Sequence, residues 1–124
     1  INYKCTNRIT KFIKFRKNLR IMNELITCIH KLGAKDINFN LNENEKETFF
    51  TIWGEVNFIE ESHLENIVNL LSTKRQHEIE EYYWNLPSDY DSESQLSIVG
   101  MMIDFAEVIY DNNILTIKLS RIDK

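Results

Sequence analysis

Apolar residues recur at three- and four-residue steps through the first 35 residues, which is the spacing of an amphipathic helix. Gly33 follows this segment where a helix C-cap glycine is expected, and Lys31 lies in the last turn, where a cation interacts favourably with the helix dipole. The pattern predicts helical structure over residues 8–32, as one helix or as two. Its apolar positions are Ile9, Phe12, Ile13, Leu19, Met22, Leu25, Ile26 and Ile29.

Alternation of apolar and polar residues then predicts a β-hairpin. Ile37, Phe39 and Leu41 alternate with polar residues, and the segment 48–56 is rich in aromatic and β-branched side chains. The polar run 42–47 between them is the expected loop. The residues predicted to share one face of the second strand are Phe50, Ile52 and Val56.

A second helical region is predicted after the hairpin. The residues at 62–65 fit a capping box, and apolar residues continue at helical spacing towards Pro87. We therefore expect one helix from about Ser62 to Asn85, because Pro87 cannot continue it. The polar segment 87–94 is the expected loop.

The last third of the chain predicts a shorter helix and a second hairpin. Apolar residues over 96–106 follow a serine N-cap, and the strands 108–110 and 115–119 flank a turn at 111–113. The order of elements is α-β-β-α-α-β-β. This order predicts an α+β fold, a two-layer sandwich in which helices cover one face of a mixed four-stranded sheet.

Composition agrees with one domain over residues 1–124. The chain has 124 residues, of which 43% are hydrophobic and 27% charged, a balance typical of a globular domain. Its two cysteines, Cys5 and Cys28, do not make a disulfide framework, which indicates reduced thiols and a cytoplasmic location. No apolar stretch approaches the roughly 18–20 residues of a membrane span, so no membrane partner is expected. A domain upstream of Ile1 remains an open alternative.

Charge is distributed unevenly along the chain. Residues 1–35 contain nine Lys or Arg and one acid, whereas residues 36–124 contain six Lys or Arg and eighteen acids. Residues 1–20 are therefore either a basic linker or a helix that leads into the core at 21–124. The cations that share helical spacing are Lys11, Lys14, Lys17 and Arg20.

Three interpretations of this basic stripe are open. It is a solvated helix face balanced by the acidic remainder of the chain, a docking surface for an upstream domain or a protein partner, or a nucleic-acid patch. Nucleic acid is disfavoured because the acidic remainder would repel phosphates. Tyr82, Tyr83 and Trp84 are a second docking candidate, because three consecutive helical residues cannot all face the core and aromatic residues are enriched at interfaces. Partners include a second copy, as a homodimer.

Residues that bear chemistry give little support for catalysis. His77 with Glu80 and Glu81 has metal-ligand spacing, but His63 is fourteen residues away and ordinary surface ion pairs explain the same charges. Cys28 has only His30 nearby, two positions on and on another helix face, so an inert thiol is favoured. The three glycines are isolated and form no phosphate-binding loop.

Three stretches, together with the order of elements, resemble the GHKL (Bergerat-fold) ATPase domain of sensor histidine kinases and anti-sigma-factor kinases. Glu24 to Cys28, running into Gly33-Ala34 and a strand, resembles the family's Glu-x-x-x-Asn helix. The segment 50–55 lies where the family has a strand followed by Asp-x-Gly-x-Gly, and 95–99 resembles its Gly-Leu-x-Ile-Val helix start. The resemblance covers roughly residues 18–122, with 115–119 resembling the last strand.

The resemblance implies a nucleotide site whose motifs are degenerate. Glu24 falls on the family's water-orienting acid, but Cys28 replaces the Mg²⁺-binding Asn, and a thiol is a poor ligand for a cation that requires oxygen donors. Trp53 or Gly54 stands where the family has its adenine-reading Asp. Gln95 replaces a glycine that lets the backbone approach phosphate.

The expectation that follows is a pseudoenzyme. We expect a non-catalytic regulatory protein-interaction domain of bacterial signal transduction, with a protein partner, no cofactor and no metal. One alternative is an active or weak Mg-ATP-binding ATPase of the anti-sigma or histidine-kinase type, in which Glu24 is catalytic. Another is a nucleic-acid-binding module that uses the basic N-terminal helix, and an unrelated α+β domain is also open.

Overall fold

The computed structural model describes residues 8–85 and 94–123. Within these residues, helices and strands follow the predicted order, except that three helices and not two separate the hairpins, and the α+β class is confirmed. The elements are α1 (Arg8–Lys31), β1 (Asn38–Glu43), β2 (Glu47–Glu55), α2 (Glu61–Leu71), α3 (His77–Tyr83), α4 (Ser94–Met102), β3 (Phe105–Asp111) and β4 (Ile114–Ile122).

The four strands form one sheet in the order β1-β2-β4-β3. The predicted four-stranded sheet is confirmed, but it is antiparallel throughout and not mixed. The two hairpins meet through β2 and β4, which pair antiparallel from Glu47 opposite Ile122 to Glu55 opposite Ile114. β4, and not β3, pairs with β2. Each of the three pairs of neighbouring strands in the described sheet is therefore antiparallel.

The core lies between the inner face of the sheet and the helices. Phe50, Ile52 and Val56 are at most 1% exposed, so the predicted buried face of β2 is confirmed. From α1, the fully buried residues Ile21, Leu25 and Ile29 belong to the same core cluster. A fully buried side chain of this type contributes about 1.5–3 kcal/mol through removal from water.

α1 is one continuous helix whose C-terminus has the predicted glycine cap. Gly33 has φ +98°, and its N–H donates to the carbonyl oxygen of His30 at 3.0 Å. The N–H of Ala34 donates to the carbonyl of Ile29 at 3.2 Å. These bonds satisfy carbonyl groups that have no partner inside the helix, as a left-handed cap residue allows.

The predicted helix over 62–85 is wrong in its extent, because two helices occupy this region. α2 ends at Leu71, and Gln76 has an extended backbone (φ −129°, ψ 90°) whose N–H donates to the carbonyl of Met101 on α4 at 3.0 Å. The predicted capping box is also absent, since Glu60 is the N-cap and makes no side-chain cap. Pro87 lies outside the described residues, as does all of the predicted loop except its last residue.

The second hairpin has the predicted turn. Asn112 and Asn113 both have positive φ, at 51° and 63°, as expected of the two central residues of a type I′ turn. Ala106, predicted at the end of a helix, instead lies in β3, because α4 ends at Met102. The helix is thus shorter and the strand longer than the apolar pattern indicated.

Candidate functional site

A pocket between α1, α2 and the start of α4 contains two of the five residues that the resemblance selects, Glu24 and Cys28. Its volume is about 230 Å³. This is below the range of roughly 300–1,000 Å³ that is usual for small-molecule sites. Its lining residues are Glu24, Thr27, Cys28, Lys31, Leu32, His63, Asn66, Ile67, Leu70 and Leu96.

The other three residues do not line this pocket. Trp53 is 37% exposed and alternates with the buried residues of β2, so its side chain lies on the face of the sheet opposite the helices. Gly54 is buried, and a Cβ built on it would lie 3.0 Å from the carbonyl oxygen of Asp36. Gln95 belongs to α4, one residue before Leu96, which lines the pocket.

The α2 wall of the pocket was missed by sequence reasoning. His63, Asn66, Ile67 and Leu70 follow the i, i+3, i+4, i+7 spacing of one helix face, and all four line the pocket. That spacing was available in the sequence. The sequence did not show that this face of α2 packs towards Cys28.

Glu24 is not exposed to solvent in this pocket. Its side chain is 4% exposed, and Arg20 lies close, with Nε 3.3 Å from its Oε1. Arg20, predicted for partner docking, thus forms an ion pair one turn away on its own helix. Cys28, half-buried, would present sulfur where a Mg²⁺ ion requires oxygen.

Two cations of the predicted basic stripe, Lys14 and Lys17, form ion pairs within the domain. The Nζ atom of Lys14 lies 3.3 Å from Oδ2 of Asp123. Lys17 is buried and its Nζ lies 3.2 Å from Oε2 of Glu80, with a further contact to Glu81. With the Arg20–Glu24 pair, three of the four cations of the stripe are therefore balanced by the domain's own acids. Lys11 belongs to α1, but its side chain is outside the described part of the structure.

Glu80 is the centre of a buried charge network. It is 3% exposed, and both of its carboxylate oxygens accept hydrogen bonds from Arg121, at 2.8 and 3.0 Å. The Nε atom of Arg75 lies 3.4 Å from Oε1, and Lys17 approaches Oε2. Glu80 thus joins three cations, from α1, β4 and the segment between α2 and α3.

The network sets the protonation of Glu80. Burial by itself raises the pKa of this carboxyl, but the hydrogen bonds and charge of Arg121, with the charges of Arg75 and Lys17, outweigh burial and lower that pKa below its ordinary value. Glu80 is therefore a structural anion, and its carboxylate is used by these cations and not by a metal shared with His77, a pairing that the sequence disfavours. Across residues 8–85 and 94–123, no group of three metal-ligating side chains is assembled.

A groove between the N-terminal half of α1 and the end of α3 brings together Arg20 and Trp84, which were selected from separate segments as docking candidates. The groove has a volume of about 480 Å³. Arg16 borders it, with its guanidinium carbon 5.6 Å from the centroid of the Phe12 ring. The lining residues are Phe12, Phe15, Arg16, Leu19, Arg20, Trp84 and Asn85.

The aromatic cluster at the end of α3 does not face one way, as the sequence predicts. Tyr82 is 74% exposed, whereas Trp84 is partly buried and packs against the core cluster. The Tyr83 side chain is not among those described. Tyr82 and Trp84 thus face different surroundings, and only Trp84 borders the groove.

Comparison with known proteins adds no family assignment. The chain matches no known protein-family model, and no curated protein shows significant similarity to it. In the part of the chain that the structure describes, no helix is both long and apolar enough to cross a membrane.

Proposed function

We propose that this chain is a non-catalytic regulatory protein-interaction domain on a scaffold that resembles a degenerate GHKL ATPase domain. The observation that carries the proposal is the exposed apolar side of α1. Phe12, Phe15 and Leu19 are 59%, 42% and 41% exposed, and they border the same groove as Trp84. Contiguous apolar surface rimmed by polar groups is characteristic of interaction sites.

The pocket beside Glu24 supports the loss of nucleotide chemistry. It is smaller than a usual ligand site, Glu24 is paired with Arg20, and the Cys28 thiol is a poor partner for Mg²⁺. The pairing of Lys14 and Lys17 with acids of the same domain favours protein interaction over a nucleic-acid-binding module. A signalling role rests on the resemblance alone.

One observation favours the Mg-ATP alternative. Glu24, Cys28 and Leu96 come from the two segments that resemble the family's nucleotide-binding helices, and they meet around one pocket. A residual ATP site would occupy this place. Its affinity would depend on Glu24 and not on the exposed side of α1.

Two measurements distinguish the proposed interaction domain from the Mg-ATP alternative. They are calorimetric titration with ATP at millimolar Mg²⁺ and thermal unfolding under the same conditions. We expect no heat of binding and no change in the unfolding temperature. A bound nucleotide at about one hundred times its dissociation constant would add about 2.7 kcal/mol of stability, which both methods would detect. Saturable binding that Glu24→Gln weakens would refute the proposal and establish the ATP-binding alternative.

A further inference from the structure

The face of the sheet that is turned away from the helices presents exposed side chains on all four strands. Side chains alternate along each strand, so the buried residues of β2 and β4 face the helices and every second residue faces the other way. We call these outward-facing residues the open face. Its large apolar members, which are 37–56% exposed, are Phe49, Trp53, Phe105, Ile109, Ile114 and Ile122.

A trough runs along β4 in the middle of the open face. Thr116 and Ser120 on β4 are small and are less exposed than the residues beside them in the strand register. The flanking pairs are Phe49 and Phe105 beside Ser120, and Trp53 and Ile109 beside Thr116. Because neighbouring strands are about 4.8 Å apart, β2 and β3 lie about 10 Å apart across β4. This width fits one α-helix, whose diameter with side chains is about 10–12 Å.

The open face is large enough to bind a helix specifically. Its six apolar side chains expose about 80 Å² each, or about 500 Å² together, which is near the upper end for the largest apolar patch of a monomer. The trough is about 27 Å long from Ile114 to Ile122, the length of a helix of about 18 residues. A helix that covers the face buries a similar area of its own surface. The contact therefore reaches the roughly 1,000 Å² that a specific interface needs.

The charge of the open face favours a basic partner. Its charged members are four acids and one lysine, which gives a net charge of −3, and they are Glu47, Glu55, Glu107, Asp111 and Lys118. None of these five side chains forms an ion pair with a described residue, unlike Lys14 and Lys17 on α1. Glu55 and Asp111 flank Ile114 at one end of the trough, where they would meet cations of a bound helix.

We propose that the open face binds an amphipathic helix of a protein partner, with apolar residues along one side and lysine or arginine on both borders. Helices would then cover both faces of the sheet, which is one of the stable arrangements of layers. A second copy is disfavoured because it would place the same excess of acids against itself, and the acids also repel the phosphates of nucleic acids. The open face is separate from the groove lined by Phe12 and Trp84, so this inference adds a second docking surface to the proposed function.

Calorimetric titration of the chain with two synthetic peptides tests the proposal. Each peptide is a helix of about 18 residues with leucines at three- and four-residue steps. One peptide has lysines on both borders of the leucine stripe, and the other has glutamates at the same positions. We expect the lysine peptide to bind with a dissociation constant in the micromolar range and the glutamate peptide to bind at least about tenfold more weakly.

A substitution at the end of the trough locates the binding site. Ile114→Lys is expected to weaken binding of the lysine peptide at least about tenfold, because it places a cation where the apolar side of the peptide packs. Val68→Lys is the matched control, since Val68 on α2 is 42% exposed and Ile114 is 44% exposed. We expect no change for this control. Circular dichroism verifies that both variants are folded.

A second pair of variants tests the role of charge. Glu55→Gln combined with Asp111→Asn removes two acids beside the trough, and we expect about fivefold weaker binding of the lysine peptide. Glu61→Gln combined with Glu65→Gln is the control, because it removes two exposed acids from α2 and changes the net charge equally. Equal weakening by the two double variants would mean that binding follows net charge alone, which would overturn the proposal.

Three other results would also overturn it. The first is no binding of the lysine peptide at concentrations up to about 1 mM. The second is binding that Leu19→Lys weakens and Ile114→Lys does not, which would place the peptide in the groove of the proposed function. The third is a dimer in sedimentation velocity that Ile114→Lys dissociates, which would assign the open face to a second copy.

Discussion

Replacing Glu80 with alanine would leave three cations in the domain interior without their shared anion. Arg121, Arg75 and Lys17 have side chains that are 4%, 8% and 8% exposed, so water cannot take the place of the missing carboxylate. The Nη1 atom of Arg121 would retain the carbonyl of Met102 as an acceptor, at 2.9 Å. Both of its hydrogen bonds to Glu80 would be lost.

Removing one member of a buried ion pair costs about 3–5 kcal/mol when the remaining charge is left without compensation. Arg75, Arg121 and Lys17 would each keep a second acid, Asp104, Asp123 and Glu81 respectively, so we expect the lower end of this range, about 3 kcal/mol. A domain of this length has an unfolding free energy of about 6–18 kcal/mol. Glu80→Ala is therefore expected to remove about a sixth to a half of the total stability. The corresponding fall in the unfolding temperature is about 10–20 °C.

Urea unfolding followed by circular dichroism measures this change, and urea is preferable to guanidinium because it does not screen charges. Glu81→Ala is the control, since Glu81 contacts the same Lys17 but its side chain is 65% exposed. An exposed pair of this kind contributes about 1 kcal/mol or less. If the two variants lose equal stability, the buried network does not stabilise the domain as described.

Two further predictions concern stability at low pH and the close packing at Gly100. Because the folded pKa of Glu80 is lowered, stability is present above the unfolded pKa of about 4.3 and is lost as pH falls through the folded value. Glu80→Gln should therefore flatten the dependence of the urea midpoint on pH between 2 and 5, and an unchanged slope would contradict this. Gly100→Ala should cost about 1–3 kcal/mol, because its Cβ would lie 2.2 Å from the carbonyl oxygen of Leu70, and wild-type stability would disprove that close approach.

Much of the fold follows from local patterns that are visible in the sequence. Alternation placed Phe50 and Ile52 on one buried face, and the Asn112–Asn113 pair marked a tight hairpin turn. Gly33 marked the end of α1. Each of these features depends on a few neighbouring residues, because the backbone preferences that produce them act over one turn or one strand.

The resemblance selected residues that are brought together only in part. Glu24 and Cys28 share a pocket because they are one helical turn apart on α1, so their proximity is a local property. Trp53 lies on the opposite face of the sheet, because the strand alternates and Ile52 faces the core. The sequence did not predict that α2 forms a wall of this pocket, because that depends on how α1 and α2 pack. The residues that meet there are far apart in the sequence.

The tertiary structure decided which side of α1 faces inward. The sequence by itself determined an amphipathic helix with apolar residues and lysines on it, and it determined the order of helices and strands. It did not determine that Lys17 is buried and Phe12 exposed, because a lysine is buried only where distant acids compensate its charge. Those acids are Glu80 and Glu81, more than sixty residues further along the chain, and only the folded domain brings them to Lys17.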